Sequence, residues 1–153
     1  MLFQKLLTYL VGLLIGLMFS HGAIAGNAEE RLAIKGYDPV AYFTESRPVK
    51  GDPRFEYEFD DTIYRFARAR HLQLFKSDPD HYLPQHGNHC TAALSEGLLN
   101  VRSDPNNWLI HNGKLYLFGK PIGPGLMQED PEGMEKLANE NFPKAEKLPP
   151  ADI

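Results

Sequence analysis

Cysteine is almost missing from this chain. Cys90 is the only one among 153 residues. One thiol excludes an internal disulfide framework, and it excludes a multi-thiolate zinc or iron–sulfur site built by a single chain. An excess of basic residues is missing too. Sixteen Lys+Arg stand against 20 Asp+Glu, a formal net charge of -4. A nucleic-acid binder needs a clustered basic face, so that class is set aside. There is no phosphate-cradling glycine loop, no His-Glu-x-x-His pair and no calcium-loop pattern. Beyond residue 19 no run is apolar enough to cross a membrane. What is present suffices for a core: 42% of residues are hydrophobic and 24% charged, which argues against disorder. The length is that of one domain.

Residues 1–25 read as a secretory signal peptide. Lys5 is the only charge in the segment, Leu6 to Phe19 is an apolar run, and Ala23-Ile24-Ala25 supplies a small-x-small cleavage pattern. The run is too short to span a bilayer comfortably, and Ser20-His21-Gly22 interrupts it. The expected product, cut after Ala25, is periplasmic or secreted and keeps no membrane span.

Asp-Pro pairs punctuate the chain beyond residue 25, at Asp38-Pro39, Asp52-Pro53, Asp78-Pro79, Asp104-Pro105 and Asp130-Pro131. Asp caps a helix or opens a turn, and Pro suits the first helical position. Val40 to Phe43 reads as a short strand. Arg54 to Ala67 alternates as a hairpin turning at Asp60-Asp61. Arg70 to Lys76 reads as a helix, then a helical turn ends at Pro84. Cys90 to Ser95 looks helical, closed by Gly97. Asn107 to Phe118 is a second hairpin around Asn112-Gly113, a type I′ turn pair. Gly119 to Gly125 is expected as a loop, Pro131 to Phe142 as a helix, and Lys144 onward as a frayed tail. Offset by 52 residues the two hairpins align. That is either a duplication or two similar cores looking alike, and the second is the simpler reading. The fold expected is α+β: a small antiparallel sheet built from two hairpins with two or three short helices packed on it.

His81, His86, His89 and Cys90 form the densest group of metal-capable side chains. In a helix, His86 would share a face with His89 and Cys90. Imidazole with thiolate suits a soft transition metal, copper or zinc, with Cu(I) the softest match. The candidate ligands are Cys90, His89 and His86, with His81, His111 or His71 as further donors. The structural alternative makes Cys90 a small buried hydrophobe in a protein-interaction or structural module. A thiol redox sensor is a third reading. A Cys–His hydrolase lacks any recognisable orienting group or oxyanion hole, so no catalytic residue is assigned.

Three stretches carry a family resemblance: Gly36-Tyr37-Asp38-Pro39-Val40-Ala41-Tyr42-Phe43, Phe75 to Gln85, and His86-Gly87-Asn88-His89-Cys90. With the second hairpin, in this order, they resemble the exported YHS-domain proteins of bacteria. The resemblance implies a YHS-like domain over residues 33–120, after the signal peptide; the loop, short helix and tail read from the residues then make up 121–153. It also implies a module related to metal-binding YHS and TRASH domains, hence copper or another transition metal. Those relatives carry several cysteines where this chain has one.

Overall fold

The computed structural model describes residues 31–151; the signal-peptide segment lies outside the described residues. The chain is α+β. Among the described residues two antiparallel hairpins, β1 (Asp52–Phe59) with β2 (Thr62–Phe66) and β3 (Asp104–His111) with β4 (Lys114–Phe118), form two separate two-stranded sheets. The expected single sheet is therefore corrected. Six α-helices accompany them within the same residues, rather than two or three: α1 (Pro39–Thr44), α2 (Ala69–Ser77), α3 (Pro79–Tyr82), α4 (Thr91–Ser95), α5 (Gly123–Glu129) and α6 (Pro131–Ala145).

Val40 to Phe43, expected as a strand, belongs to α1. Asp38 is its N-cap, with Oδ1 accepting from the Val40 N–H at 2.9 Å, and Pro39 holds the first helical position. Cap and proline together outweigh the strand preference of Val, Tyr and Phe, whose residues here are mostly buried with no period-2 alternation. The expected loop over 119–125 is shortened, since α5 begins at Gly123. Residues 123–145 form α5 and α6 and contribute to the cores. Met127, Ala138 and Ala145 are fully buried.

The 52-residue offset extends far beyond the hairpins. Asp52 pairs with Phe66 and Asp104 with Phe118; Tyr57 pairs with Tyr64 and Leu109 with Tyr116. The register shifts at the same point in both hairpins. The bulge region opens on the same turn, with Asp52 Oδ1 accepting from Arg54 N at 2.9 Å and Asp104 Oδ1 from Asn106 N at 2.8 Å. Asp38 N–H donates to Val49 O and Cys90 N–H to Val101 O. The bridge Leu32–Ile63 recurs as Pro84–Leu115, and Tyr37–Lys50 as His89–Arg102. Asp78 and Asp130, each joining two helices, have nearly the same backbone angles (φ -154°, ψ 74° and φ -143°, ψ 75°). Among the described residues two halves thus share one order of elements, register and bridge pattern, and the reading of two hairpins alike only in their cores is corrected.

Equivalent positions also fill equivalent cores. Tyr64, Phe66 and Phe75 anchor the first half; Tyr116, Phe118 and Met127 anchor the second. The halves meet on β4. Its Tyr116 and Phe118 face the second core, while Leu115 and Leu117 turn into the first. The Leu-Tyr-Leu-Phe run is continuous because both faces of this strand are buried. In β2 the place of Leu117 is taken by Arg65, half-buried and paired with Glu56 at 2.6 Å. The equivalent face of the first hairpin is therefore polar.

Candidate functional site

His86, His89 and Cys90 lie on the turn that joins the two halves and enters α4. They are not helical there, so the common face that a helix over 86–90 would give them is absent. Cys90 is the N-cap. Its Sγ accepts from the Ala93 N–H at 3.4 Å, and its backbone angles (φ -75°, ψ 115°) match those of Asp38 (φ -77°, ψ 113°). The thiol is 6% exposed and packs with Val101, Tyr116, Phe118 and Met127. A cap sulfur in an apolar cluster has the surroundings of a core cysteine, not of an accessible reactive thiol.

His86 is fully engaged. Its Nε2–H donates to Asn139 Oδ1 at 3.0 Å, and its Nδ1 accepts from the Thr91 hydroxyl at 3.0 Å. The ring packs edge-on against Phe142, 5.4 Å between centroids. Burial is the first cause that lowers its pKa; the Asn139 bond and the Glu135 charge act against it. A neutral imidazole with both nitrogens bonded has no free lone pair for a metal.

His89 differs. It is 6% exposed, and Nε2–H donates to the Leu148 carbonyl at 3.2 Å. Burial lowers its pKa, against the opposing pull of the backbone carbonyls of Leu148, His86 and Ala145. Nδ1 is buried and has no hydrogen-bond partner. The residues after α6, expected as a frayed tail, form a strap here. Leu148 takes the His89 bond, and Ala151 exchanges backbone hydrogen bonds with Asn100 and Arg102.

The further candidate ligands lie apart from this group. His81 is exposed and packs on Phe43 and Tyr82, at 4.8 and 4.6 Å between centroids. His111 ends β3 opposite Lys114 and meets Asn112 at 3.1 Å. His71 is committed to Asp38. Among the described residues no three His, Cys, Asp or Glu side chains are grouped to hold a metal ion.

Two features escaped sequence reasoning. One is a buried acid–imidazole pair in the first half. Asp38 Oδ2 accepts from His71 Nδ1 at 2.6 Å and from the Ala67 N–H at 2.8 Å, and Asp38 is completely buried. His71 Nε2 meets Thr44 Oγ1 at 3.3 Å. The 52-residue offset puts Cys90 at the place of Asp38 and Gly123 at that of His71, so the second half lacks the pair. The Asp38-Pro39 signal read only as a cap; the contact with His71 comes from packing α1 on α2. The other feature is an open cleft of about 950 Å³. The tip of the first hairpin, the inter-half turn and the strap bound it, with His89 in its lining. These segments are far apart in sequence.

Among the described residues no helix is long and apolar enough to cross a membrane. No family model matches the chain, and no curated protein and no solved structure is similar enough to match it.

Proposed function

We propose that this protein is an exported, non-catalytic YHS-like binding module that uses the cleft beside the inter-half turn as its recognition surface, with Cys90 as part of the core. One observation carries the reading. The residues best suited to chemistry are spent on structure: Cys90 caps α4 inside an apolar cluster, and both nitrogens of His86 are bonded. What remains open to a partner is the cleft, lined from three separate parts of the chain. The resemblance to exported YHS-domain proteins and the signal-peptide pattern support export.

A second reading keeps a soft metal, copper or zinc. The Nδ1 of His89, which has no hydrogen-bond partner, favours it, with Cys90 next in sequence. Such a site would need Cys90 to leave its cap and further ligands from elsewhere. A Cu(I) competition titration of the full chain under reducing conditions, beside Cys90→Ala, separates the two. The module reading expects the same weak binding, or none, in both proteins. Tight one-to-one binding lost in Cys90→Ala overturns it in favour of the metal.

A further inference from the structure

The repeat leaves one backbone edge covered in the second half and uncovered in the first. In the second half, residues 100–102 run between two neighbours. On one side the Cys90 N–H donates to Val101 O and the Ser103 N–H to Asn88 O. On the other the strap adds itself as a parallel partner: the Ala151 N–H donates to Asn100 O at 2.6 Å, and the Arg102 N–H to Ala151 O at 2.8 Å. Residues 48–50 are the equivalents in the first half. Their inner side is paired in the same way, with the Asp38 N–H on Val49 O and the Gly51 N–H on Gly36 O, both at 2.9 Å. That pattern turns the Lys50 N–H and the Pro48 carbonyl outward, and among the described residues no backbone group meets either.

Exposure follows the difference. Val101 is buried and Arg102 half-buried beside the strap, whereas Val49 is half-buried and Lys50 exposed. The first half has no strap of its own. The place of Ala151 in the repeat falls on Leu99, which packs against the cluster of Leu94, Ala138 and Ala145 instead. Tyr37 stands where His89 holds the Leu148 carbonyl, so a side chain able to donate occupies that position in both halves. An uncovered edge with a donor and an acceptor at the spacing the strap uses is a template for an added strand.

We propose that residues 48–50 bind an extended, proline-containing segment of a partner polypeptide as an added parallel strand, in the way the strap binds residues 100–102. The strap defines the occupant. One non-proline residue supplies both the N–H and the C=O, as Ala151 does. Prolines before it, like Pro149 and Pro150, preset an extended backbone, so little freedom is lost on binding. The chain's own strap is committed to residues 100–102, so the segment comes from another polypeptide. None of residues 48–50 lines the cleft, and this second surface goes beyond the reading proposed above.

The test titrates the full chain with a capped peptide of residues 147–153, and with the same peptide carrying Ala151→Pro. Backbone amide signals are followed by NMR. The expected result is that the first peptide shifts Tyr37, Val49, Lys50 and Gly51. The second lacks the pairing N–H and should bind about tenfold more weakly. In the free chain the Lys50 amide should exchange with solvent faster than the Arg102 amide, which the strap holds. Equal binding of the two peptides overturns the strand pairing, and a protected Lys50 amide overturns the uncovered edge. Shifts confined to Asn100, Arg102 and the strap mean that the peptide displaces the strap, which overturns the site, as does no shift at all. Lys50 shifts that appear on concentrating the chain without peptide overturn the separate partner in favour of a second copy. The cleft reading is judged apart from all of these, by the Cu(I) titration.

Discussion

Cys90 occupies in the second half the place that Asp38 occupies in the first. Both cap a short helix with nearly the same backbone angles, and both donate their N–H to a valine carbonyl. Asp38 is bound to a buried histidine, whereas the Cys90 thiol is bound only to a backbone amide and apolar neighbours. Cys90→Ala should therefore act on stability. It removes a buried atom and a cap together, at a cost of about 1–3 kcal/mol. Urea denaturation of the two proteins measures it. An unchanged midpoint would contradict the core role of the thiol.

Asp38→Ala should be the more damaging change. It strands the N–H groups of Val40 and Ala67 and the Nδ1 of His71, all of which Asp38 accepts from. Removing one partner of a buried pair costs about 3–5 kcal/mol. Chemical denaturation of Asp38→Ala, with Asp38→Asn as the milder variant, should rank the losses in that order.

Acid should weaken the fold through the inter-half turn. Burial holds His86 and His89 below the ordinary histidine value of 6.5. The unfolded chain then binds more protons than the folded one once pH drops toward 6.5, so stability falls as pH falls through that value toward the lower folded pKa values. Above 6.5 this contribution is fully present. Denaturation midpoints across that range should show the decline, and His86→Gln should flatten it.

The two hairpin tips give an exchange that the repeat itself suggests. Asp60 and Asp61 hold the same left-handed turn that Asn112 and Gly113 hold in the second hairpin. Asp60→Asn/Asp61→Gly places the better turn pair there and should raise stability by up to about 1 kcal/mol. Thermal unfolding would register it, and a loss would mean that the turns are not equivalent.

Gly123→Ala should destabilise. A Cβ at Gly123 would lie 2.5 Å from Cβ of the fully buried Phe118. Neither α5 nor the aromatic ring can shift without disturbing the second core, and overpacking of this kind costs about 1–3 kcal/mol. The same position in the first half holds His71, so the contact with Phe118 separates the halves here. A thermal shift assay on Gly123→Ala tests it.

Much of the local structure is legible in the chain. Asn112-Gly113 fixes its hairpin because a type I′ turn needs two positive φ values. Asp130-Pro131 starts α6 because a carboxylate that accepts from the Gly133 N–H and a proline with preset φ both belong at a helix start. Val40 to Phe43 misled because β-branched and aromatic residues also fill a wholly buried helix, where period-2 alternation is lost. The alignment of Asp60-Asp61 with Asn112-Gly113 is visible in the chain, but the residues between the hairpins differ, so the repeat emerges only from shared register, bridges and backbone angles.

The sequence by itself determined the α+β class, the hairpin turns, the capped helix starts and the small set of side chains able to do chemistry, because each depends on neighbours within a few residues. Only the tertiary structure decided their use. It closed His71 onto Asp38, gave both nitrogens of His86 to Thr91 and Asn139, sank Cys90 beneath β4, and carried the strap back to His89. Those partners lie up to 59 residues apart. Burial and hydrogen-bond saturation over such distances set whether a histidine or a thiol is free to bind, and no local pattern encodes them.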